Sequence, residues 1–490
     1  METNIIILLK KALDDGFQLE PEAFKLIEST NKNEIDLEKS LHNIIEKKIK
    51  ENEARIITKY DVISFLPQQN KIEQKTSKIE IKTMLEVLSD IGSSFVPSQG
   101  KKGFQELFTS RYNKLLKIVS IRPNYHNIEK IVSLQKNLKE KVRRTAGLVM
   151  DKKIKQNNVT LTIDDGTGMI EIIALDKRNI NEAKKVLLDS FIIVDLIFSK
   201  TNTAILKAIF LPDIPEHKPV LSKEQVYAIF TSDLHVGSRS FLNEEFSYFV
   251  NWLNNKENDQ IVSRIKYIVI AGDAVDGIGV YPNQEKELIE FNLKNQYLKL
   301  TEFLKMIPKS IEIIITPGNH DPIRQALPQP PIPRAYAGDL YEMDNVTLLG
   351  NPAYVCLHGV NVLIFHGRSL DDVIATVPGF TYDKPALVMK LLLRCRHLSP
   401  VYGGRSSILP GVEDHLVITQ VPDIFHSGHV HVLGSDNYRG TLILNSGSWQ
   451  SQTPFQAKMG IVPVAGIVPI VNLSTLEIFV KNFKLEKNIS

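Results

Sequence analysis

The stretch that decides the fold is Val226-Tyr227-Ala228-Ile229-Phe230-Thr231-Ser232-Asp233-Leu234-His235. It begins as a short apolar run, the kind that forms a strand buried on both faces, and it ends in a polar Asp-x-His. The same pattern recurs four times toward the C-terminus. Tyr267 to Ile270 leads to Gly272-Asp273-Ala274-Val275-Asp276, and Ile311 to Ile315 leads to Gly318-Asn319-His320-Asp321. Val362 to Phe365 then precedes His366-Gly367, and Val421 to Phe425 precedes Gly428-His429-Val430-His431. Helical stretches such as Phe246 to Leu253 and Leu288 to Met306 lie between them. This alternation predicts an α/β layered domain over residues 220–490, with its working groups in loops beyond the strand ends.

Each polar motif alone is weak, because a lone Asp-x-His is usually a turn and a lone Gly-Asn-His-Asp a loop with side-chain caps. Five in order, each directly after an apolar strand, predict a single site. Asp233 and His235 occupy alternate positions and can point the same way from an extended segment, giving one ion an oxygen and a nitrogen ligand. His429 and His431 can flank two adjacent ions. A carboxylate such as Asp273 can bridge two cations roughly 3.5 to 4 Å apart, a spacing that clamps the attacking and leaving oxygens of a phosphoryl group. The neighbouring glycines permit tight turns and close backbone approach.

N-terminal to this domain, Leu211 to Pro219 carries three prolines and reads as a stiff connector. Before it, from about Lys141, the period is two: Val159, Leu161 and Ile163 alternate with polar residues, and Asp164 to Gly168 makes a turn. Met169 to Leu175 returns as a strand, a helix is expected over Asn181 to Leu188, and two strands follow, Phe191 to Ser199 and Ala204 to Leu211. That order predicts an all-β OB-fold over residues 136–211. Residues 81–135 read as a mixed connecting segment, 66–80 as a flexible linker with little to bury, and 1–65 as a small helical module. The module's apolar faces are Ile5, Leu8, Leu9 and Ala12, then Leu37, Leu41, Ile44 and Ile45.

At 490 residues the chain is too long for one core, and 43% apolar with 23% charged residues is ordinary globular composition. The quiet stretch Ile461 to Leu473 is broken by Pro463 and Pro469, so no membrane span is expected. The N-terminus lacks the pattern of a signal peptide. Cys356 and Cys395 fit a reducing cytosol and are too few for a zinc cluster. Net charge is only +3, but Lys101 to Lys155 holds 15 Lys/Arg against 4 Asp/Glu, either a solvated face or a contact for a nucleic-acid backbone.

With these residues in view, the five motifs resemble those of the calcineurin-like metallophosphoesterase superfamily, a layered β-sandwich flanked by helices shared with the double-strand-break repair nuclease. The resemblance implies one metal held by Asp233, His235, Asp273 and His431, and another by Asp273, Asn319, His366 and His429. It also implies that His320 protonates the leaving oxygen while Asp276 orients His320. The donor set suits manganese, the favoured ion, with iron or zinc also fitting.

A narrower resemblance covers almost the whole chain. Gly272 to Glu285 (GDAVDGIGVYPNQE), His397 to Gly404 (HLSPVYGG), Val421 to His431 (VPDIFHSGHVH) and Asn445 to Phe455 (NSGSWQSQTPF) are similar to the small subunit of archaeal family D DNA polymerase. This likeness implies a 3′ to 5′ proofreading exonuclease acting on single-stranded or mismatched DNA 3′ ends and docked to a large polymerase subunit. It also implies a cytoplasmic, nucleoid-associated place in an archaeal cell. The N-terminal module reads as an arm for a sliding clamp or other replication proteins. The competing readings are a structural subunit with little nuclease activity and a stand-alone phosphoesterase. Outside the motifs, His426 and His358 read as structural. Trp449 and Tyr402 are candidates for stacking on an unpaired base, and Arg324 and Arg368 for contact with phosphate.

Overall fold

In the computed structural model the chain forms two compact units, Met1–Glu80 and Ile81–Ser490. The structure describes residues 81–485 except 92–94, 137–141, 256–258 and 459, and positions 17–19, 44, 45, 48, 56 and 57 of the first unit. Most of the expected N-terminal helical module, and all of the 66–80 linker, therefore lie outside the described residues. Within the first unit Gln18–Leu19 pairs in parallel with Ile56–Ile57, and Ile44 and Ile45 are helical and buried.

The C-terminal half is built on two six-stranded mixed sheets. One runs Val346–Leu348, Glu312–Thr316, Ile265–Ala271, Tyr227–Thr231, Ile467–Asn472, Ile478–Asn482. Its first four strands are parallel, and its last two pairings are antiparallel. The other runs Gly434–Tyr438, Thr441–Asn445, Ile424–Ser427, Val360–Phe365, Ala353–Leu357, Leu85–Asp90. Ala228, Phe230, Val269 and Ile314 from the first sheet pack with Val355, Val362, Ile364 and Leu444 from the second, forming the layer between the sheets. Alternate residues face outward. Ile229, Ile268, Ile270 and Ile315 pack under the helices Asn243–Leu253 and Leu293–Lys305, and Leu363, Phe365, Phe425 and Ile443 under Pro385–Cys395. Strands covered on both faces explain the unbroken apolar runs in the sequence.

Ahead of this pair of sheets, Arg143–Ile154, Val159–Asp164, Met169–Ala174, Ala204–Phe210 and Phe191–Phe198 pair in that order, and the last closes back onto the first. Lys177–Lys185 is the helix between the third and fourth strands in sequence, four residues earlier than expected because Asp176 caps it by accepting from the Asn179 backbone N–H. The interior is apolar, from Val159, Leu161 and Ile163 across to Val194 and Leu206.

Three sequence expectations shift. The segment 81–135 is more than a connector, since Leu85–Asp90 forms the edge strand of the second sheet against Ala353–Leu357. It also contains the 21-residue helix Gly100–Ser120, which buries Leu107, Arg111, Leu115 and Val119 on one stripe. The helix expected from Leu288 begins at Leu293, where the Asn292 side chain caps the Lys294 and Asn295 backbone N–H groups. The strand expected from Val421 is confined to Ile424–Ser427, because Pro422 cannot donate to a ladder.

Part of the basic run is tied inward. Arg111 is fully buried, with its Nε 2.8 Å from Asp414 Oδ2 and its Nη1 donating to the carbonyls of Asp189 and Pro400. Arg144 makes a forked pair with Asp195, Arg143 pairs with Glu129, and Lys152 donates to the carbonyls of Lys184 and Val186. These charges join the connecting helix, the barrel and the sheets, while Lys101, Lys102, Lys130, Lys153 and Lys155 stay exposed.

Candidate metal centre

All five polar motifs leave the C-terminal ends of parallel strands: Tyr227–Thr231, Ile265–Ala271 and Glu312–Thr316 in one sheet, Val360–Phe365 and Ile424–Ser427 in the other. The two sheets therefore bring their loops to one rim. The loops turn sharply there. Asp233, His235, Asp273, His429 and His431 all have left-handed backbones, with φ of 53°, 53°, 52°, 72° and 58°. Such a conformation costs non-glycine residues of order 1–3 kcal/mol each and persists only where the surroundings enforce it. Gly318 and Gly428 are required for a different reason, since a Cβ on either would strike the carboxylate of Asp273 or Asp233.

The two central carboxylates are held in the same way. Asp233 Oδ2 accepts from the His429 backbone N–H at 2.9 Å, and Asp273 Oδ1 accepts from the His320 backbone N–H at 2.8 Å. The other oxygen of each faces the imidazoles. Asp233 Oδ1 lies 3.3 Å from His431 Nε2 and 3.9 Å from His235 Nε2. Asp273 Oδ2 lies 3.4 Å from His366 Nε2 and 3.9 Å from His235 Nε2. Asn319 Oδ1 is 3.1 Å from His366 Nε2. Burial opposes the charge on Asp233, but His431 and His366 outweigh it and hold its carboxyl at about 2. Burial likewise opposes charge on Asp273, and His366 and His320 keep it well below the usual range.

The far side of each ring is fixed too. His366 Nδ1 faces the Ala271 carbonyl at 2.9 Å, and His235 Nδ1 faces Asp276 Oδ1 at 2.9 Å. Each contact commits Nδ1 and turns Nε2 toward the carboxylates, the usual support for a metal-binding histidine. Asp276 is fully buried and also receives the side-chain amides of Gln284 and Gln450. The orienting part expected of the Asp276 side chain for His320 is taken by its backbone: His320 Nδ1 is 2.8 Å from the Asp276 carbonyl and 3.9 Å from the carboxylate, which His235 occupies.

Among the described residues three groups could thus hold a cation: Asp233 with His235 and His431, Asp233 with Asp273 and His366, and His235 with Asp276 and His320. The donors fit such an ion: Asp233 Oδ1 is buried without a hydrogen-bond partner, and His235 Nε2 and His431 Nε2 face one another 3.2 Å apart. A buried acceptor of this kind is costly unless something positive meets it. His429 lies beside His366, ring centroids 5.2 Å apart, but its Nε2 is turned to Asp371 Oδ2 at 3.1 Å. That contact holds the Asp371 carboxyl at about 2 despite burial.

The site opens into a cavity of about 210 Å³ whose rim includes Tyr281, Asp371, Tyr382, Arg405, Gln450, Phe455 and Gln456. Sequence reasoning missed Asp371, Tyr382, Arg405, Gln450 and Gln456, although Arg405 immediately follows the HLSPVYGG string. Of the side candidates, Trp449 is core, with its indole N–H on Thr231 Oγ1 and its ring against Phe246 and Phe249. Tyr402 packs on Phe104 and Phe108. Arg324 donates to the Pro328 carbonyl and Arg368 to Gln325, and neither lines the cavity. His426 is buried between Phe230 and Ser446, and His358 sits against Tyr267, so both are structural.

The chain resembles proteins called DNA polymerase II small subunit along most of its length. The relative from Archaeoglobus fulgidus is 38% identical over 476 residues, covering 94% of each chain. This chain belongs to the archaeal family D DNA polymerase small subunits. The Pyrococcus furiosus member is 38% identical over 87% of this chain and 75% of its own. The Pyrococcus horikoshii member is 42% identical, but this chain spans only 63% of it. Residues 228–431 match the family of B-type subunits of DNA polymerases alpha and epsilon, a span that begins and ends on the metal-site strands and loops. Among solved structures, an archaeal phosphodiesterase is similar at 14% identity over 52% of this chain and 99% of its own, with a TM-score of 0.28, too slight a likeness to bear on fold or chemistry. Among the described residues, no helix is long and apolar enough to cross a membrane.

Proposed function

We propose that this chain is the 3′–5′ exonuclease subunit of a two-subunit replicative DNA polymerase, removing nucleotides from single-stranded or mismatched 3′ ends and docking the large polymerase subunit. In this reading residues 220–490 are a calcineurin-like phosphoesterase domain, the barrel within 136–211 is an OB-fold, and the N-terminal module is an arm for other replication proteins. The observation that carries the chemistry is Asp273 Oδ2, which stands between His366 Nε2 at 3.4 Å and His235 Nε2 at 3.9 Å as a carboxylate oxygen shared by two ligand groups would. Two divalent ions, manganese favoured and iron or zinc also fitting, would activate water near neutral pH and stabilise the developing charge of a phosphodiester.

The chain's own residues supply the rest. Asp233, His235, Asp273 and His431 would hold one ion, and Asp273, Asn319, His366 and His429 the other. His429 would offer its Nδ1, since Asp371 holds its Nε2. His320 lines the cavity with its Nδ1 anchored to the Asp276 carbonyl, which leaves Nε2 to hold and deliver a proton to the leaving oxygen. Arg405 lies on the same rim to meet phosphate charge.

The test is digestion of a 3′-labelled, 3′-mismatched primer by the purified chain with manganese, alone and with the large subunit. Wild type is expected to shorten the primer while His320→Ala and Asp273→Ala do not. Equal activity in these variants would overturn the nuclease assignment. An inert wild-type protein that binds manganese would favour the purely structural subunit.

A further inference from the structure

One aromatic ring at the mouth of the candidate metal site is left largely exposed. Phe455 is 61% exposed, yet it lines the same cavity as His235, His320 and His431. A phenylalanine left in water gives up burial worth roughly 1.5–3 kcal/mol, and among the described exposed large apolar side chains Phe455 is the one that lines this cavity. Its turn is firmly held. The Thr453 backbone N–H donates to Gln456 Oε1 at 3.0 Å, and the Gln456 backbone N–H donates to Thr453 Oγ1 at 3.3 Å. Gln456 Nε2 in turn lies 2.8 Å from His431 Nδ1. One residue therefore links the exposed ring to a metal-site imidazole and fixes its place relative to the reacting centre.

The rest of the rim suits a nucleotide. Tyr281 stands at the His320 side, its ring in an edge contact with that histidine at 6.1 Å and its hydroxyl on Glu287. Arg405 is the one Lys or Arg side chain among the described residues lining the cavity, and its backbone N–H is gripped by Asp372 Oδ1 at 2.5 Å. The cavity thus offers aromatic faces and one guanidinium above the carboxylate–imidazole floor. At about 210 Å³ it is smaller than common small-molecule pockets, which favours entry of one base over a base pair.

We infer that the site takes a single unpaired nucleotide, with its base stacked on Phe455 and its phosphate turned toward Arg405 and the metal-binding residues. The inference rests on the nuclease reading and sharpens it: selection of frayed over paired ends comes from the need to bring one base out of the helix to reach Phe455. Base–aromatic contacts tolerate any base, as a site that removes any nucleotide requires.

The probe is a single-stranded oligonucleotide carrying 2-aminopurine at its 3′ terminus, titrated into the full chain in EDTA so that hydrolysis is blocked. Wild type is expected to quench the fluorescence on binding. Phe455→Ala should abolish the quenching and weaken binding by roughly 5- to 150-fold, the range for loss of one stacked base. Phe455→Trp should restore both. With manganese, Phe455→Ala should raise KM for the same strand and leave kcat in place, and wild type and variant should be equal on a strand ending in an abasic nucleotide. Unchanged quenching in Phe455→Ala, no quenching in wild type, or an equal loss on the abasic strand would each overturn the stacking inference. Quenching that depends on Phe455 in a chain that digests no DNA would uphold the stacking and refute the nuclease reading.

Discussion

Asp371 and Asp372 stand side by side at the start of the Leu370–Thr376 helix and serve two different parts of the site. Asp371 Oδ2 holds His429 Nε2 at 3.1 Å, while Asp372 receives the backbone N–H groups of Arg405 and Ser406 at 2.5 and 3.1 Å. One helix start thus positions both a candidate metal ligand and the cationic rim. The pair separates experimentally. Asp371→Ala should weaken manganese binding about 10- to 100-fold, as loss of a carboxylate behind a ligating histidine does, read by calorimetric titration.

Asp372→Ala should leave that affinity unchanged. The loop carrying Arg405 would lose its anchor, and kcat/KM on single-stranded DNA should fall roughly tenfold to a hundredfold. Steady-state kinetics on a labelled oligonucleotide reads this, and a change in manganese stoichiometry would contradict it.

Metal removal should leave the fold intact, because hydrogen bonds within the chain already place Asp233, Asp273, His235 and His366. Circular dichroism in EDTA should match that of the loaded protein. Added manganese should nonetheless raise thermal stability, by about 2.7 kcal/mol at a hundred times its dissociation constant. Asp273→Ala should erase that dependence on manganese.

Part of the acid sensitivity should come from a place away from the site, where Arg111, Asp414 and His397 form a buried cluster. His397 Nε2 is 2.9 Å from Asp414 Oδ2. Burial, then the charge of Arg111, lowers His397 to about 4, while His397 and Arg111 overcome burial to hold Asp414 well below the usual range. Unfolding lets His397 take up a proton from about pH 6.5 downward, so stability falls as pH drops from about 6.5 to 4, and the Asp414 contribution is lost below that. Thermal scans across about pH 4–8 should show this slope, and His397→Gln should remove its upper part. Arg111→Met should cost about 3–5 kcal/mol near neutral pH, since it strands a buried carboxylate.

The candidate ligands were legible in sequence because each follows an apolar strand by one to four residues, so local order carries the information. What escaped depends on contacts across long stretches of chain. Leu85–Asp90 has mostly exposed side chains, and it becomes a strand only by pairing with Ala353–Leu357. Trp449 looked available to a base until Phe246, Phe249 and Phe483 closed around it. The basic run read equally well as an open face or a nucleic-acid contact, and its partners Asp414, Asp195 and Glu413 lie 51 to 303 residues away. His320 was expected to lean on the Asp276 carboxylate, but no spacing rule distinguishes a side chain from its own carbonyl.

The left-handed corners at Asp233, His235, Asp273, His429 and His431 make these candidate ligand positions informative beyond this chain. A relative in which these side chains have no work to do would gain from letting those corners become glycine or asparagine, which occupy such backbone cheaply. Five residues that resist that drift would be a record of chemistry still in use, readable in any relative from its sequence before an assay is run.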